Sequence, residues 1–120
     1  MINIEQTIPH IPSKNMGETI DFMVMVFGFK SSSYIEHYSE LSLGNNVLGI
    51  LASEGEPNQQ SIYLKVSDVD IWWANAKSKL KNIETKTPFD QAYGMREVHL
   101  VIPETNTLLF IGSKLKHLYT

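Results

Sequence analysis

Apolar residues recur with helical period in two stretches of the chain, and each stretch is followed by residues that alternate with period two. In "NMGETIDFMVMVFGF", residues 15–29, Ile20, Met23 and Phe27 lie on one helical face. Asn15 with Glu18 three residues later forms a capping-box pattern, in which each side chain satisfies an unpaired backbone donor of the first turn. Gly28 suits the left-handed residue that closes such a helix. In "SIYLKVSDVDIWWANAKSKL", residues 61–80, a short β-rich run leads to a cap at Ser67 or Asp68. Val69, Trp72, Trp73, Ala76 and Leu80 then recur at helical spacing. A shift of 53 positions carries Asn15 onto Asp68 and Ile20 onto Trp73.

The segments after the two helices also match. "YSELSLGNNVLGILA" reads as strand, Gly-Asn-Asn turn, strand, and "REVHLVIPETNTLLFIG" reads as strand, Pro-Glu-Thr-Asn turn, strand. Each half is therefore strand, helix, then two or three strands. "SEGEPNQQ", rich in turn formers and charge, joins them. The expectation is one domain over residues 1–120, with module one at about 5–53 and module two at about 60–113.

Composition narrows the function. With 42% hydrophobic residues in 120, the chain can bury a core. The 13 acidic and 10 basic residues give a net charge of -3, and the lysines are spread out. Without a concentrated positive footprint, nucleic acid is not expected as a partner. A mildly acidic protein suits a cationic or neutral ligand. There are no cysteines, which removes disulfides, thiolate nucleophiles and thiolate metal sites. "MINIEQTIPHIP" lacks a basic start followed by an apolar run, and no later run spans a membrane, so a cytoplasmic protein with no membrane partner is expected. No nucleophile elbow, phosphate-cradling glycine loop or catalytic carboxylate pair appears, which shifts weight from catalysis to binding.

Taken together, the tandem βαβββ pattern resembles the vicinal oxygen chelate superfamily of glyoxalases, extradiol dioxygenases and bleomycin resistance proteins. It is most similar to the last of these. "PHIPSKNMGETIDFMVMVFGF" resembles their Pro-x-hydrophobic-Pro-x-Arg-Asp entry, aromatic-pair helix and Leu-Gly-Phe exit. "IYLKVSDVDIWWANAK" resembles the second-module entry, and "PFDQAYGMREVHLVIPETNTLLFIG" resembles the aromatic-Gly-x-Arg-Glu stretch that runs into Asp-Pro-Asp-Gly-Asn. The likeness covers Thr7 to Gly112, with departures at Asn15, Phe22-Met23 and Ile102-Pro103-Glu104-Thr105. It implies an α+β fold: tandem modules forming a curved mixed-sheet cup, helices packed outside, and a dimer with shared grooves.

Metal-dependent members of that superfamily hold a divalent cation in the cup through four strand positions. Carried over from Asn15 and Asp68, and from Asn46 and Asn106, those positions fall on Ile8, Ser61, Gly49 and Leu109. None is a metal donor of the usual kind, so no metal, no cofactor and no catalytic residue are expected. His10 lies two residues past Ile8, on the same face if the strand alternates through its prolines. It reads either as a pocket-lining residue or as an edge histidine bonded to backbone. Glu97 and His99 alternate with Val98 and Leu100, and either line the cup or are solvated. An unorthodox metal site from His10, Glu97 and His99 stays open.

Tyr38 shares a face with Glu40 and Ser42, and falls where some bleomycin binders carry a groove tryptophan, which implies stacking on a flat heteroaromatic ligand. Tyr63 shares a face with Ser61, and Tyr93 opens "YGMR" at the groove rim; each is otherwise a core or interface tyrosine. Trp72 and Trp73 cannot point the same way, so one is expected in the core and the other at a flank or subunit contact. His37 and His117 read as surface residues. The ligand-binding set is thus His10, Tyr38, Tyr63, Tyr93, Glu97 and His99.

Two functions follow. The first is a metal-free small-molecule binding protein of the antibiotic-resistance type. It would capture a planar compound such as a cationic glycopeptide in a homodimer groove, with or without an exchanged N-terminal strand. The second is a superfamily enzyme, a lyase, isomerase or dioxygenase, with a non-standard metal site or none.

Overall fold

The computed structural model describes residues 1–116, apart from the side chains of residues 32–34; His117 lies outside the described residues. The order is β1 (His10–Ser13), α1 (Met16–Phe27), β2 (Lys30–Ile35), β3 (Tyr38–Leu43), β4 (Asn46–Ala52), β5 (Gln60–Lys65), α2 (Val69–Ala76), a 3-10 turn (Lys77–Leu80), β6 (Thr85–Asp90), β7 (Met95–Ile102) and β8 (Thr107–Lys114). Three strands follow each helix. Each half forms its own four-stranded mixed sheet, in the order β1-β4-β3-β2 and β5-β8-β7-β6. The β1-β4 and β5-β8 pairs are parallel and the others antiparallel. The mixed-sheet architecture expected of the tandem modules is thus realised as two four-stranded sheets, one per half.

Local chemistry sets both helix starts. Asn15 has extended backbone and its side chain accepts from the Glu18 N–H at 3.2 Å. The reciprocal half of the capping box is absent, because the Asn15 N–H donates instead to Ser13 Oγ at 3.0 Å. Asn15→Ala is expected to cost about 1 kcal/mol in urea unfolding, and Asn15→Asp much less, since the cap needs only a short side-chain acceptor. Asp68 caps α2 by accepting from the N–H groups of Asp70 and Ile71, at 3.0 and 3.1 Å. Gly28, at φ 82°, closes α1 and donates to Met23 and Val24 carbonyls.

Period-two alternation decides which sheet face the helices cover. Ile11, Leu41, Leu48 and Ile50 of the first sheet, and Val98, Leu100, Leu109 and Ile111 of the second, are buried with Phe22 and Met23 of α1 and Val69 of α2. Burying such side chains is the main stabilising term. The two tryptophans are both half-buried. Trp72 stacks on Phe27 at 5.3 Å and 10°, and its buried indole N–H has no partner among the described residues. Polar bonds then fix one module on the other. Thr19 Oγ1 donates to the Pro103 carbonyl at 2.9 Å, Gln60 Nε2 donates to the His10 carbonyl at 2.9 Å, and Lys14 pairs with Glu56 across the joint.

The molecule measures 50 × 45 × 24 Å, and its short dimension fits one helix layer on one sheet layer. Each sheet has one face of buried side chains, Ile11, Leu41 and Ile50 in the first and Val98, Leu100 and Leu109 in the second, and an opposite face that solvent reaches, at His10 and Tyr38 and at Tyr63 and His99. No helix among the described residues is long and apolar enough to cross a membrane.

Candidate functional site

The open face of the second sheet is organised by one carboxylate. β7 sends Val98, Leu100 and Ile102 into the core, so Glu97 and His99 point the other way. Glu97 is nevertheless fully buried. Its Oε2 accepts from the hydroxyls of Tyr63 (2.8 Å) and Tyr93 (2.6 Å), and its Oε1 faces Gln91 Nε2 (3.0 Å) and His99 Nε2 (2.8 Å). Burial opposes ionisation, but the bonds from Tyr93, His99, Gln91 and Tyr63 outweigh it and hold the carboxyl at about 2. Burial and the same carboxylate push the Tyr63 hydroxyl well up, and the bond to Glu97 raises that of Tyr93.

Aromatic contacts complete this face. Tyr63 lies beside Phe110 at 5.9 Å and 20°, and the His99 ring is 4.0 Å from Phe110 and 4.8 Å from Phe89. A groove of about 440 Å³ runs beside β7, walled by Ile83, Lys86, His99, Val101 and Leu108.

The open face of the first sheet repeats the arrangement with the residue types exchanged. His10 opens β1 opposite Gly49, its ring edge-on to Tyr38 at 5.7 Å and 65°. Tyr38 donates to Glu40 Oε2 at 3.0 Å. Ladder register matches His10 to Tyr63, Tyr38 to Glu97, Glu40 to His99 and Gly49 to Phe110. Gly49 lies under both rings of its cluster, since a Cβ there would fall 2.8 Å from Tyr38 and 2.9 Å from His10.

Of the six residues expected at the site, Tyr63, Tyr93, Glu97 and His99 form one cluster, and His10 and Tyr38 form another. Glu97 is fully buried, with both carboxylate oxygens bonded to its neighbours. Gln91 and Phe89 were not foreseen, as nothing in their local sequence marks them. Phe110 was missed by one position.

The residues do not fit the cation site of the superfamily's metal-dependent members. Ile8 precedes β1, and Leu109 is fully buried in the core instead of facing the cup. The ladder-matched positions are His10, Gly49, Tyr63 and Phe110. Only His10 is a ligand of the usual class there. Among the described residues no three His, Asp or Glu side chains gather to hold an ion, so His10, Glu97 and His99 form no joint site within the chain.

No family model and no curated protein matches the chain by sequence. Solved structures do match its fold. A bleomycin resistance determinant encoded on the transposon Tn5 superposes with TM-score 0.79 at 23% identity, over 92% of this chain and 98% of that one. A bleomycin-binding protein from Streptomyces verticillus, complexed with copper(II)-bleomycin, gives TM-score 0.73 at 17% identity, over 96% and 100%. The fosfomycin resistance protein FosX from Mesorhizobium loti gives 0.70 at 15%, over 98% and 97%. With its tandem βαβββ halves and two mixed sheets, the chain has the vicinal oxygen chelate fold, shared by bleomycin resistance proteins and by glyoxalase and dioxygenase enzymes.

Proposed function

We propose that this chain is a metal-free binding protein that captures a flat, drug-like small molecule, bleomycin-type glycopeptides included, in grooves of a symmetric homodimer. The observation that carries the reading is the pair of sheet faces, each bearing an aromatic and polar cluster whose rings stay in reach of solvent: His10 and Tyr38 on one, Tyr63, Tyr93 and His99 on the other. A second copy related by a two-fold axis covers both faces at once and turns two shallow surfaces into closed grooves. Tyr38, His10, Tyr63, Tyr93 and His99 contact the guest in this reading, and Glu97 positions the last three. Ile2 and Ile4, 83% and 72% exposed ahead of β1, are covered if the N-terminal segment crosses to the partner. The bleomycin-binding and bleomycin resistance proteins of the same fold support capture as the activity.

A thermal-shift screen separates capture from metal-dependent chemistry. Bleomycin in the presence of a chelator is expected to raise the melting temperature, and divalent ions alone are expected to leave it unchanged. Tyr38→Ala should weaken binding by about 1 kcal/mol through loss of a ring stack. Stabilisation by an ion that depends on His10 or His99 would favour the enzyme reading instead.

A further inference from the structure

We propose that the groove beside β7 reads a hydrogen-bond-donating edge of a flat heteroaromatic ligand, with Nδ1 of His99 as the acceptor. The inference rests on the binding reading above and names the ligand chemistry of one groove. The starting point is the Glu97 carboxylate. Tyr63 and Tyr93 occupy one of its oxygens, and Gln91 and His99 the other, at 2.6 to 3.0 Å. With both oxygens filled by donors, the carboxylate carries no proton to give. The hydrogen in the His99 contact must therefore sit on Nε2. In a neutral imidazole this leaves the lone pair on Nδ1.

No described residue uses that lone pair. Among the described residues no group bonds to Nδ1, and it is not among the buried polar atoms lacking a partner, so solvent reaches it. The side chain is 19% exposed, its ring sits against Phe89 and Phe110, and it lines the 440 Å³ groove. Ile83, Val101 and Leu108 supply apolar wall. Lys86, the ladder neighbour of His99, holds its ammonium 4.2 Å from the centre of the Phe89 ring. A ligand edge with a ring or amide N–H pairs with the Nδ1 lone pair where it meets this wall. An edge offering only a lone pair meets another lone pair.

Indole and 1-methylindole, flat neutral probes that differ by one N–H, test this. Long-range proton–nitrogen spectra of the labelled full chain should show His99 protonated at Nε2 and bare at Nδ1, and indole should shift Nδ1. Indole should bind roughly tenfold more tightly than 1-methylindole, because the analogue leaves the acceptor unpaired. His99→Phe keeps a flat ring and should bind both probes alike. Glu97→Gln, whose amide no longer dictates where the imidazole hydrogen sits, should narrow the preference. A hydrogen found on Nδ1 in the unaltered protein, equal binding of the two probes, no indole binding at millimolar concentration, or a preference that survives His99→Phe would each overturn the proposal. Indole preference without bleomycin capture would remove the function proposed above and leave this inference standing. Capture without the preference would do the reverse.

Discussion

Glu97→Ala is expected to lower the free energy of unfolding at pH 7 by about 3 kcal/mol, through loss of a buried, multiply bonded group and the space it fills. The side chain is fully buried and serves four donors at once. Tyr63 and Tyr93, 41% and 62% exposed, can turn to water in the variant, which keeps the loss from growing further. The effect should depend on pH in one direction. The folded carboxyl sits at about 2, against an ordinary value of 4.5. Its contribution is therefore complete above the ordinary value and fades as pH falls toward the folded one. Urea unfolding should show the gap between the unaltered protein and Glu97→Ala shrinking by on the order of 2 kcal/mol between pH 5 and 2.5. A gap that stays constant over this range would mean the carboxylate is not held ionised by its neighbours.

The second large effect is expected at Gly112, which lies on β8 opposite Glu97. A Cβ there would overlap the Tyr63 hydroxyl and approach Glu97 Cγ to 2.9 Å. Tyr63 is partly exposed and can swing away, but it then gives up both its bond to Glu97 and its place on Phe110. Gly112→Ala should cost about 2 kcal/mol, the sum of a lost charged hydrogen bond and a strained contact. In a Tyr63→Ala background the same substitution should cost half as much or less, since most of the obstruction is gone. Strict additivity of the two changes would place the cost elsewhere, in the β8 backbone.

Much of the fold was legible because its signals are local. Asn15 and Asp68 cap helices through bonds to residues within three positions, so the same pattern is visible in sequence and structure. Alternation likewise put Glu97 and His99 on the face opposite Val98 and Leu100. The site was less legible wherever it depends on register. Matching Asn46 with Asn106 carried the last position onto Leu109, yet Asn46 is the first residue of β4 while Asn106 belongs to the turn before β8. That slip of one residue exchanges the two faces of a strand, and so a core leucine stood in for Phe110. Gln91 lies between β6 and β7, and only the turn that brings those strands together aims it at Glu97. No spacing along the chain predicts that contact. The gathering of Tyr63, Tyr93, Gln91 and His99 on one carboxylate is a property of the sheet.

Calorimetric titration of the full chain with metal-free bleomycin, in buffer containing a chelator, is the most direct trial of a metal-free groove. One drug molecule bound per chain is expected, with affinity reduced in Tyr38→Ala and unaltered when the chelator is replaced by a divalent ion. Heat that appears only after a divalent ion is added would contradict it.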